Sequence, residues 1–312
     1  MSGISDLPFR LLAHRLGAGL VVSEMVASRQ LVEQRADILK RAKGRGLSPF
    51  AVQLAGREAH WMAEAARIAE GIGADLIDIN MGCPAKQVTR GLSGSALMRN
   101  LDHAAELIEA VVSAVTVPVT LKMRMGWDHS SLNAPALAKR AEEIGVQMIT
   151  VHGRTRCQFF NGHADWSFIA KVKDTVSIPV IANGDVETPA DAARILSQSN
   201  ADGLMIGRGA QGEPWLLGRV AEYLRSGQDK GAPPLAEQAQ IVQEHYDAIL
   251  TLYGKAQGVR TARKHLGWYV GKTVQNEQSA AEWRNRLCRE NDDRKVREHL
   301  ATFYEEQLEV AA

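Results

Sequence analysis

Short apolar runs alternate with longer amphipathic stretches over the first two thirds of this chain. Seven runs are rich in Val, Ile, Leu and Met and predict strands at residues 20–23, 51–54, 76–80, 119–124, 148–152, 180–183 and 203–206. Between them, apolar residues recur at helical spacing, for example at residues 61–72, 101–115, 134–144 and 189–198. This alternation predicts βαβ units in a parallel sheet whose strands are buried on both faces.

Polar side chains stand where the predicted strands end. The set comprises Glu24, Gln53, Asn80, Lys122, His152 and Asn183. A (β/α)₈ barrel builds its active site at the carboxyl ends of its strands, so the pattern predicts an α/β fold of the TIM (β/α)8 type. Ser5 or Asp6 can cap the first predicted helix, and too few residues precede that cap for a strand. We therefore expect the first barrel strand to be missing from this chain.

The last quarter of the chain has a different pattern. Residues 226–234 are rich in Gly, Pro and polar side chains, which is typical of a linker. From residue 235 onward the spacing is helical and no strand pattern recurs. The sequence therefore predicts a catalytic barrel domain at residues 1–230 and a small helical domain at residues 235–312.

Composition narrows the class of protein. Of the 312 residues, 45% are hydrophobic and 23% are charged, which is ordinary for a soluble globular protein. No apolar run is long enough to cross a membrane. Cys83, Cys157 and Cys288 lie far apart and outside any Cys/His cluster, which argues against a disulfide framework and a zinc site. We predict a cytoplasmic, monomeric protein with neither a membrane segment nor a metal.

The segment at residues 78–94 carries the sharpest chemical signal. Its strand ends at Asn80, and Cys83 follows at once in a basic, glycine-rich loop with Lys86 and Arg90. Free cysteines are more often packing residues. A thiol just past a strand end is nevertheless placed where an α/β enzyme keeps its reactive groups, so Cys83 is the candidate catalytic residue.

Two late loops have the composition of a phosphate site. They carry Asn183, Gly184 and Asp185, and Gly207 and Arg208. In barrels the loops after the last two strands commonly bind phosphate through backbone N–H groups and a helix N-terminus. The G-x-G-x-x-G pattern of residues 207–212 alone would suggest a Rossmann site, but it comes last in the alternating pattern and lacks an acidic residue at the usual distance.

The polar strand ends also suit a flavin. Lys122 would balance the negative charge that a reduced isoalloxazine gains, and Gln53 would hydrogen-bond the ring edge. Taken singly, a lysine or histidine at a strand end is usually a hydrogen-bonded structural residue. Polar side chains stand at four strand ends, and together they favour the flavin interpretation. They are Gln53, Asn80, Lys122 and His152.

These runs resemble the tRNA-dihydrouridine synthases, in order along the chain. The similar segments are LVVSEMV at 20–26, DINMGCP at 78–84, VTLKMRMG at 119–126, TVHGRTR at 150–156, IANGDV at 181–186 and LMIGRGA at 204–210. The helical segment GVRTARKHLGWY at 258–269 is similar to the bacterial B-type branch. The cysteine loop and the lysine strand are the specific parts, whereas the NGD and GRG runs are shared with other flavin barrels.

The resemblance implies an FMN-dependent TIM barrel followed by a helical bundle, which uses NADPH to reduce the C5–C6 double bond of particular uridines in tRNA. It implies that the flavin delivers hydride to uracil C6 and that Cys83 protonates C5 from the opposite face. On this basis we assign flavin binding to Gln53, Lys122, His152, Asn183, Gly184, Asp185, Gly207 and Arg208. We assign substrate binding to Asn80, Lys86, Arg90, Arg124 and Arg154.

A local excess of positive charge marks the helical domain. The formal net charge of the whole chain is +1, but residues 255–297 contain 11 Lys and Arg against 5 Asp and Glu. Arg260, Arg263 and Lys264 fall on one helical face, next to Trp268, which we expect to be a core residue. Such a face suits a phosphate backbone, so we predict that these three cations bind tRNA.

Two other functions are compatible with the sequence. A flavin barrel similar to the dihydroorotate dehydrogenases would act on a free pyrimidine, but it would need no basic helical domain. A chain without its first strand could also have lost its flavin and act only as an RNA-binding protein. The other site residues are intact, which favours the enzyme.

Overall fold

The computed structural model describes residues 1–311, which form two compact units. The first comprises Met1–Arg10 and Gly19–Gly207, and the second comprises Leu11–Ala18 and the chain from Arg208 onward. This division differs from the predicted domains at 1–230 and 235–312. The reason is apolar packing, because Leu12 and Trp215 are buried in the same core as the C-terminal helices.

The first unit is built on one parallel sheet. Its strands are β1 Val21–Val22, β2 Val26–Ala27, β3 Phe50–Ala55, β4 Leu76–Met81, β5 Val119–Arg124, β6 Met148–His152, β7 Val180–Asn183 and β8 Gly203–Met205. The hydrogen-bonded order is β1-β3-β4-β5-β6-β7-β8, and β2 continues the pairing of β1 with β3. Each central strand pairs in parallel with the next along the chain, which is the succession of a curled (β/α)₈-type sheet.

Helices cover the outside of this sheet. They are α1 Leu7–Arg15, which runs into the second unit, α2 Ser28–Val32, α3 Ala36–Ala42, α4 Ala59–Gly71, α5 Lys86–Thr89, α6 Leu101–Val112, α7 Ala134–Ile144, α8 Trp166–Lys173 and α9 Pro189–Ser199, with a 3₁₀ helix at Gly94–Arg99. Asp6 accepts a hydrogen bond from the N–H of Phe9, which confirms the predicted cap of the first helix. Buried alanine and leucine side chains line the faces of α4, α6 and α7.

The predicted strands are confirmed with small shifts at their ends. The strands at 119–124, 148–152 and 180–183 have the predicted bounds, and β1 is two residues shorter than predicted. The sequence analysis missed β2, since two residues carry no periodicity. Within residues 1–311 no pairing joins β1 to β8, so the sheet has an edge at each of these strands.

The second unit is helical in its described part, as predicted for residues after 235. It contains a 3₁₀ turn at Arg208–Ala210 and helices α10 Leu216–Ser226, α11 Leu235–Tyr253, α12 Lys255–Thr273, α13 Glu277–Arg289 and α14 Asp293–Ala311. Inside its core, His245 accepts or donates a 3.0 Å hydrogen bond to the Tyr269 hydroxyl. Burial lowers the pKa of His245 to about 3, so the core histidine is neutral at physiological pH. None of the helices described combines the length and apolar character needed to cross a membrane.

Candidate active site

The strand register brings the predicted strand-end residues onto one face of the sheet. The register pairs are Gln53 with Asp78, Asn80 with Lys122, Arg124 with His152, and His152 with Asn183. Register partners in a parallel sheet lie on the same side, and so do residues two apart on one strand. The sheet therefore collects amides, cations and a carboxylate at the carboxyl ends of β3 to β7.

A chain of buried hydrogen bonds runs across this face to the cysteine loop. The Gln53 Nε2 donates to Asp78 Oδ2 at 2.7 Å, and the Asn80 Nδ2 donates to Gln53 Oε1 at 2.7 Å. The Asn80 Oδ1 then accepts from the backbone N–H of Cys83 at 2.9 Å and from that of Gly82 at 3.2 Å. Side chains of two adjacent strands, β3 and β4, thus hold the turn that presents Cys83.

Asp78 is a site residue that the sequence analysis did not assign. Its second oxygen accepts from Thr120 Oγ1 at 2.7 Å. Burial raises the pKa of Asp78 to about 6, against the lowering effects of the Gln53 and Thr120 hydrogen bonds and of the Lys122 charge. The carboxylate is therefore ionised at neutral pH. Its position two residues before Asn80 on one strand was the available signal, since such residues share a face.

Lys122 supplies a buried positive charge beside this chain. Its Nζ donates to Asn183 Oδ1 at 3.0 Å, and Asn183 Nδ2 donates to the carbonyl of Met205. Burial, and to a smaller extent the nearby Arg124, lower the pKa of Lys122 to about 8, against the raising effects of Asp78 and Cys83. An additional anion at this position would stabilise the ammonium form.

Hydrogen bonds join the two ends of the cysteine loop, residues 82–95. Cys83 is partly exposed, and its carbonyl accepts from both the N–H and the hydroxyl of Ser95. A Cβ at Gly94, where φ is +60°, would lie 2.9 Å from that carbonyl oxygen, so only glycine fits. Lys86 and Arg90 are exposed at the two ends of α5, immediately after Cys83.

Arg124 joins the cysteine loop to the loop that follows β6. Its Nε donates to the carbonyl of Gly82 at 2.9 Å, and its Nη1 donates to the carbonyls of Thr155 and Phe159, each at 2.8 Å. The guanidinium also lies 5.5 Å from the centre of the Phe160 ring. Arg124 is buried and holds the backbone of both loops, and its contact with substrate stays a prediction.

Arg154 is held by a carboxylate and by backbone carbonyls. It is 2% exposed, and its two Nη atoms donate to Asp185 at 2.7 and 2.6 Å. The same guanidinium donates to the carbonyls of Asn161 and Gly162. The ion pair between the buried Arg154 and the partly exposed Asp185 thus ties the loop after β6 to the loop after β7, and the ligand contacts of both residues stay predictions.

The two predicted phosphate loops differ from each other in their surroundings. Gly184 has a φ of +126°, and a Cβ there would lie 2.7 Å from Ala164 and 2.9 Å from the His152 ring. A capping box of Thr188 and Asp191 closes the N-terminus of α9, so that helix end satisfies its own N–H groups. Gly207 is the last residue of the first unit. Arg208 begins the C-terminal part of the second unit, and its side chain is exposed. The phosphate role of Gly184, Gly207 and Arg208 stays a prediction.

The predicted RNA-binding cations of the second unit separate into two groups. Arg260 is exposed and Lys264 is partly exposed on α12. Arg263 instead donates to the carbonyl of Glu290 and to Asn291 Oδ1, just past the end of α13. Arg263 therefore closes the C-terminus of that helix, a structural role that its spacing with Arg260 did not reveal.

Comparison with known proteins agrees with this geometry. The family model for dihydrouridine synthase matches residues 1–309. A probable tRNA-dihydrouridine synthase of Rickettsia conorii is 55% identical over 99% of this chain and 93% of its own length. The tRNA-dihydrouridine synthase B of Pseudomonas putida is 49% identical over 86% of this chain and 80% of its own length.

Solved structures of other enzymes share the fold. A histamine dehydrogenase from Rhizobium sp. 4-9 superposes with a TM-score of 0.52 at 13% identity, over 80% of this chain and 47% of its own. An amine oxidase acting on 6-hydroxypseudooxynicotine, from Pseudomonas geniculata, superposes with a TM-score of 0.53 at 15% identity, over 76% and 47%. This chain spans about half the length of each, and the likeness shows the fold alone. The match of the family model and the identity with full-length relatives show that the chain belongs to the dihydrouridine synthase family of oxidoreductases.

Proposed function

We propose that this protein reduces the C5–C6 double bond of specific uridines in tRNA to 5,6-dihydrouridine, with FMN as its flavin and NADPH as reductant. The observation that carries the proposal is the hydrogen-bonded chain from Asp78 through Gln53 and Asn80 to the Cys83 turn. It holds a thiol at the carboxyl edge of a sheet that also carries the Lys122 ammonium, whose charge interacts with Cys83, in a chain of the dihydrouridine synthase family. The named relatives act on tRNA, which supports the same substrate here.

The donor set fits a flavin. Lys122 is a buried cation whose lowered pKa indicates a charge that an anionic ring would stabilise. The side chains of Gln53, Lys122, His152 and Asn183 and the backbone at Gly184 and Gly207 would hold FMN. When bound and reduced, the flavin supplies the hydride that adds to the double bond.

The remaining chemistry falls to residues of the chain. Cys83 holds the proton that is delivered to C5 as the double bond is reduced. The Asn80 Oδ1 fixes the backbone of Cys83, which orients the thiol. Lys86 and Arg90 are exposed beside the thiol, and we assign them to the phosphates that flank the target nucleotide.

The test uses the purified protein, FMN, NADPH and an unmodified tRNA transcript, with dihydrouridine measured by mass spectrometry. We expect the protein to bind flavin and to form dihydrouridine. Replacement of Cys83 by Ala should leave the flavin content unchanged and slow product formation roughly 10²- to 10⁴-fold, since a general acid contributes about that much. The matched control is Cys157→Ala, because Cys157 is an exposed thiol in a neighbouring loop.

Other outcomes decide between the alternatives. Protein that binds tRNA but takes up no flavin would be an RNA-binding protein instead of a reductase. Reduction of free uridine or uracil at the rate of tRNA would indicate a free-pyrimidine enzyme. A Cys83→Ala variant as fast as the wild type would remove the proposed proton donor.

A further inference from the structure

Phe160 is a large aromatic side chain that the site described above does not use. It is 50% exposed at the carboxyl edge of the sheet, and its ring centre lies 6.5 Å from that of His152. Burial of a phenylalanine ring is strongly favourable, and leaving half of it in water forgoes that stabilisation. An exposed aromatic ring next to a candidate active site is a feature typical of ligand recognition.

The backbone on either side of Phe160 is fixed. The two buried arginines donate to carbonyls on both sides of it, Arg124 to Thr155 and Phe159, and Arg154 to Asn161 and Gly162. Phe159 adopts a φ of +51°, the left-handed region that non-glycine residues rarely occupy. Strain of this kind persists only where surrounding structure enforces it, and it concentrates at functional sites. The loop therefore holds the backbone of Phe160 in place at the carboxyl edge of the sheet.

The surroundings of the ring are cationic and aromatic. Arg124 lies 5.5 Å from the Phe160 ring centre. In the same loop, the Arg156 guanidinium carbon lies 4.6 Å from the centre of the Trp127 ring and 4.7 Å from that of the Phe159 ring. Arg156 also donates to Thr89 at the end of α5, the helix that carries Lys86. Aromatic rings among cations are the pattern of single-stranded nucleic-acid sites, because bases stack on the rings while the cations neutralise phosphates.

We propose that Phe160 is a base-stacking residue, on which a nucleobase of the RNA adjacent to the target uridine lies when that uridine enters the site. The inference rests on the proposed function and adds a substrate-binding residue to it. A base must leave its helical stack before its ring can be reduced, and stacking of a neighbouring base on Phe160 replaces part of the stacking that is lost. An apolar protein partner is the less suitable occupant because Arg124 lies by the Phe160 ring and Arg156 lies over the adjacent Phe159 ring.

The test measures binding of an unmodified tRNA transcript by fluorescence anisotropy at several salt concentrations. Phe160→Leu keeps an apolar side chain but removes the aromatic face, and we expect it to raise the dissociation constant roughly 5- to 100-fold. The slope of log Kd against log salt should not change, because no phosphate contact is removed. Phe160→Tyr should bind within about twofold of the wild type, since it retains the stacking face.

Controls separate this inference from folding and from the proposed function. Leu132→Ala removes a 37% exposed apolar side chain from the loop after β5 and should leave binding unchanged. If Phe160→Leu does not fold, Phe160→Trp provides the readout, since tRNA should quench the added indole emission. If Phe160→Leu binds tRNA with wild-type affinity, only the stacking inference is overturned. Where Phe160→Trp is used, emission that tRNA does not quench has the same consequence. A wild-type protein that does not bind tRNA overturns the proposed function as well.

Discussion

At the scale of single residues, Asp78 determines which way two neighbouring amides point. An ionised carboxylate only accepts hydrogen bonds, so the NH₂ of Gln53 must face it. The Gln53 oxygen then faces the NH₂ of Asn80, and the Asn80 oxygen is left to accept from the N–H of Cys83. One buried charge thereby selects the orientation of each amide up to the cysteine turn.

We predict that Asp78→Asn disturbs the orientation of the Gln53 and Asn80 amides while strand β4 still forms. Asparagine has one accepting oxygen where the carboxylate has two, so either Gln53 or Thr120 loses its acceptor. The unsatisfied donor should lower the free energy of unfolding by about 1–3 kcal/mol. Because the amides can then invert and release the Cys83 turn, kcat for dihydrouridine formation should fall roughly tenfold or more.

Thr120→Val is the matched control for Asp78→Asn. It removes one hydrogen bond from the same carboxylate but leaves an acceptor-only group facing Gln53. Its stability should fall as well, measured by urea denaturation, while kcat stays within about threefold of the wild type. Equal losses of kcat in both variants would contradict the orienting role of Asp78.

The charge on Lys122 predicts how flavin binding depends on pH. The ammonium, which faces Asp78, Arg124 and Cys83, has a pKa of about 8 and loses its charge as the pH rises through that value. If the ammonium binds the flavin, the FMN dissociation constant should rise about tenfold per pH unit above pH 8. Fluorescence titration of FMN between pH 6.5 and 9.5 measures this.

Lys122→Arg and a denaturation series distinguish this effect from unfolding. An arginine stays charged throughout the range, so the alkaline loss of FMN affinity should disappear in that variant. The unfolded chain keeps its lysine proton to about pH 10.5, so the unfolded state binds more protons between pH 8 and 10.5. The Lys122 contribution to stability therefore rises with pH in that window, opposite in sign to the loss of flavin affinity.

At the scale of elements, two buried arginines connect the loops that carry the site. Arg124 links the cysteine loop after β4 to the loop after β6, and Arg154 links that loop to the one after β7. Loops at a strand edge have few backbone partners of their own, so guanidinium groups with several fixed donors are suited to hold their carbonyls. The catalytic edge is therefore one connected layer instead of separate flexible turns.

The Arg154–Asp185 pair provides a direct test of that layer. Arg154→Met leaves a partly exposed carboxylate without its charge partner and should lower the free energy of unfolding by about 1.5–3 kcal/mol, the range for hydrogen bonds to charged groups. Asp185→Asn tolerates the left-handed backbone, φ +55°, and the double variant should be more stable than the sum of the single losses predicts. Lys139→Met, which breaks exposed ion pairs on α7, should change stability by no more than about 0.5 kcal/mol. Strict additivity of the Arg154 and Asp185 substitutions would contradict the coupling.

At the scale of the whole molecule, positive charge is unevenly distributed. The net charge of the chain is only +1, while the segment from α12 into α14 carries a strong local excess. Within that segment, ion pairs and helix ends occupy some cations, including Arg297 with Asp247 and Arg263 at the end of α13. Affinity for a polyanion therefore depends on which cations stay exposed and not on their number.

We predict that Arg260 and Lys264, but not Arg263, contribute to tRNA binding through phosphate. Alanine at either position should weaken binding and reduce the slope of log Kd against log salt by roughly 0.7–0.9 per lost contact. Arg263→Met should instead lower the melting temperature and leave the salt slope unchanged, since its guanidinium binds Glu290 and Asn291. Lys230→Ala, an exposed cation outside the segment, is the control. A reduced slope in Arg263→Met would contradict this division.

The alternation of strand and helix patterns was enough to predict the parallel sheet and most strand bounds. The sequence also determined that Cys83, Asn80 and Lys122 stand at strand ends, because strand periodicity and turn residues are local properties. Their family resemblance is confirmed by the family model and by full-length relatives. The individual binding roles of the site residues stay predictions.

The partners of the charged side chains within the protein became known only from the tertiary structure. The sequence analysis assigned Arg124, Arg154 and Arg263 to substrate, which stays a prediction, and did not foresee that each holds backbone carbonyls or a carboxylate from distant segments. Asp78 was overlooked because its partners lie on two other strands. The sequence shows that a guanidinium or carboxylate is present, but its partner is set by strand register and loop packing, which bring together residues 25 to 42 positions apart.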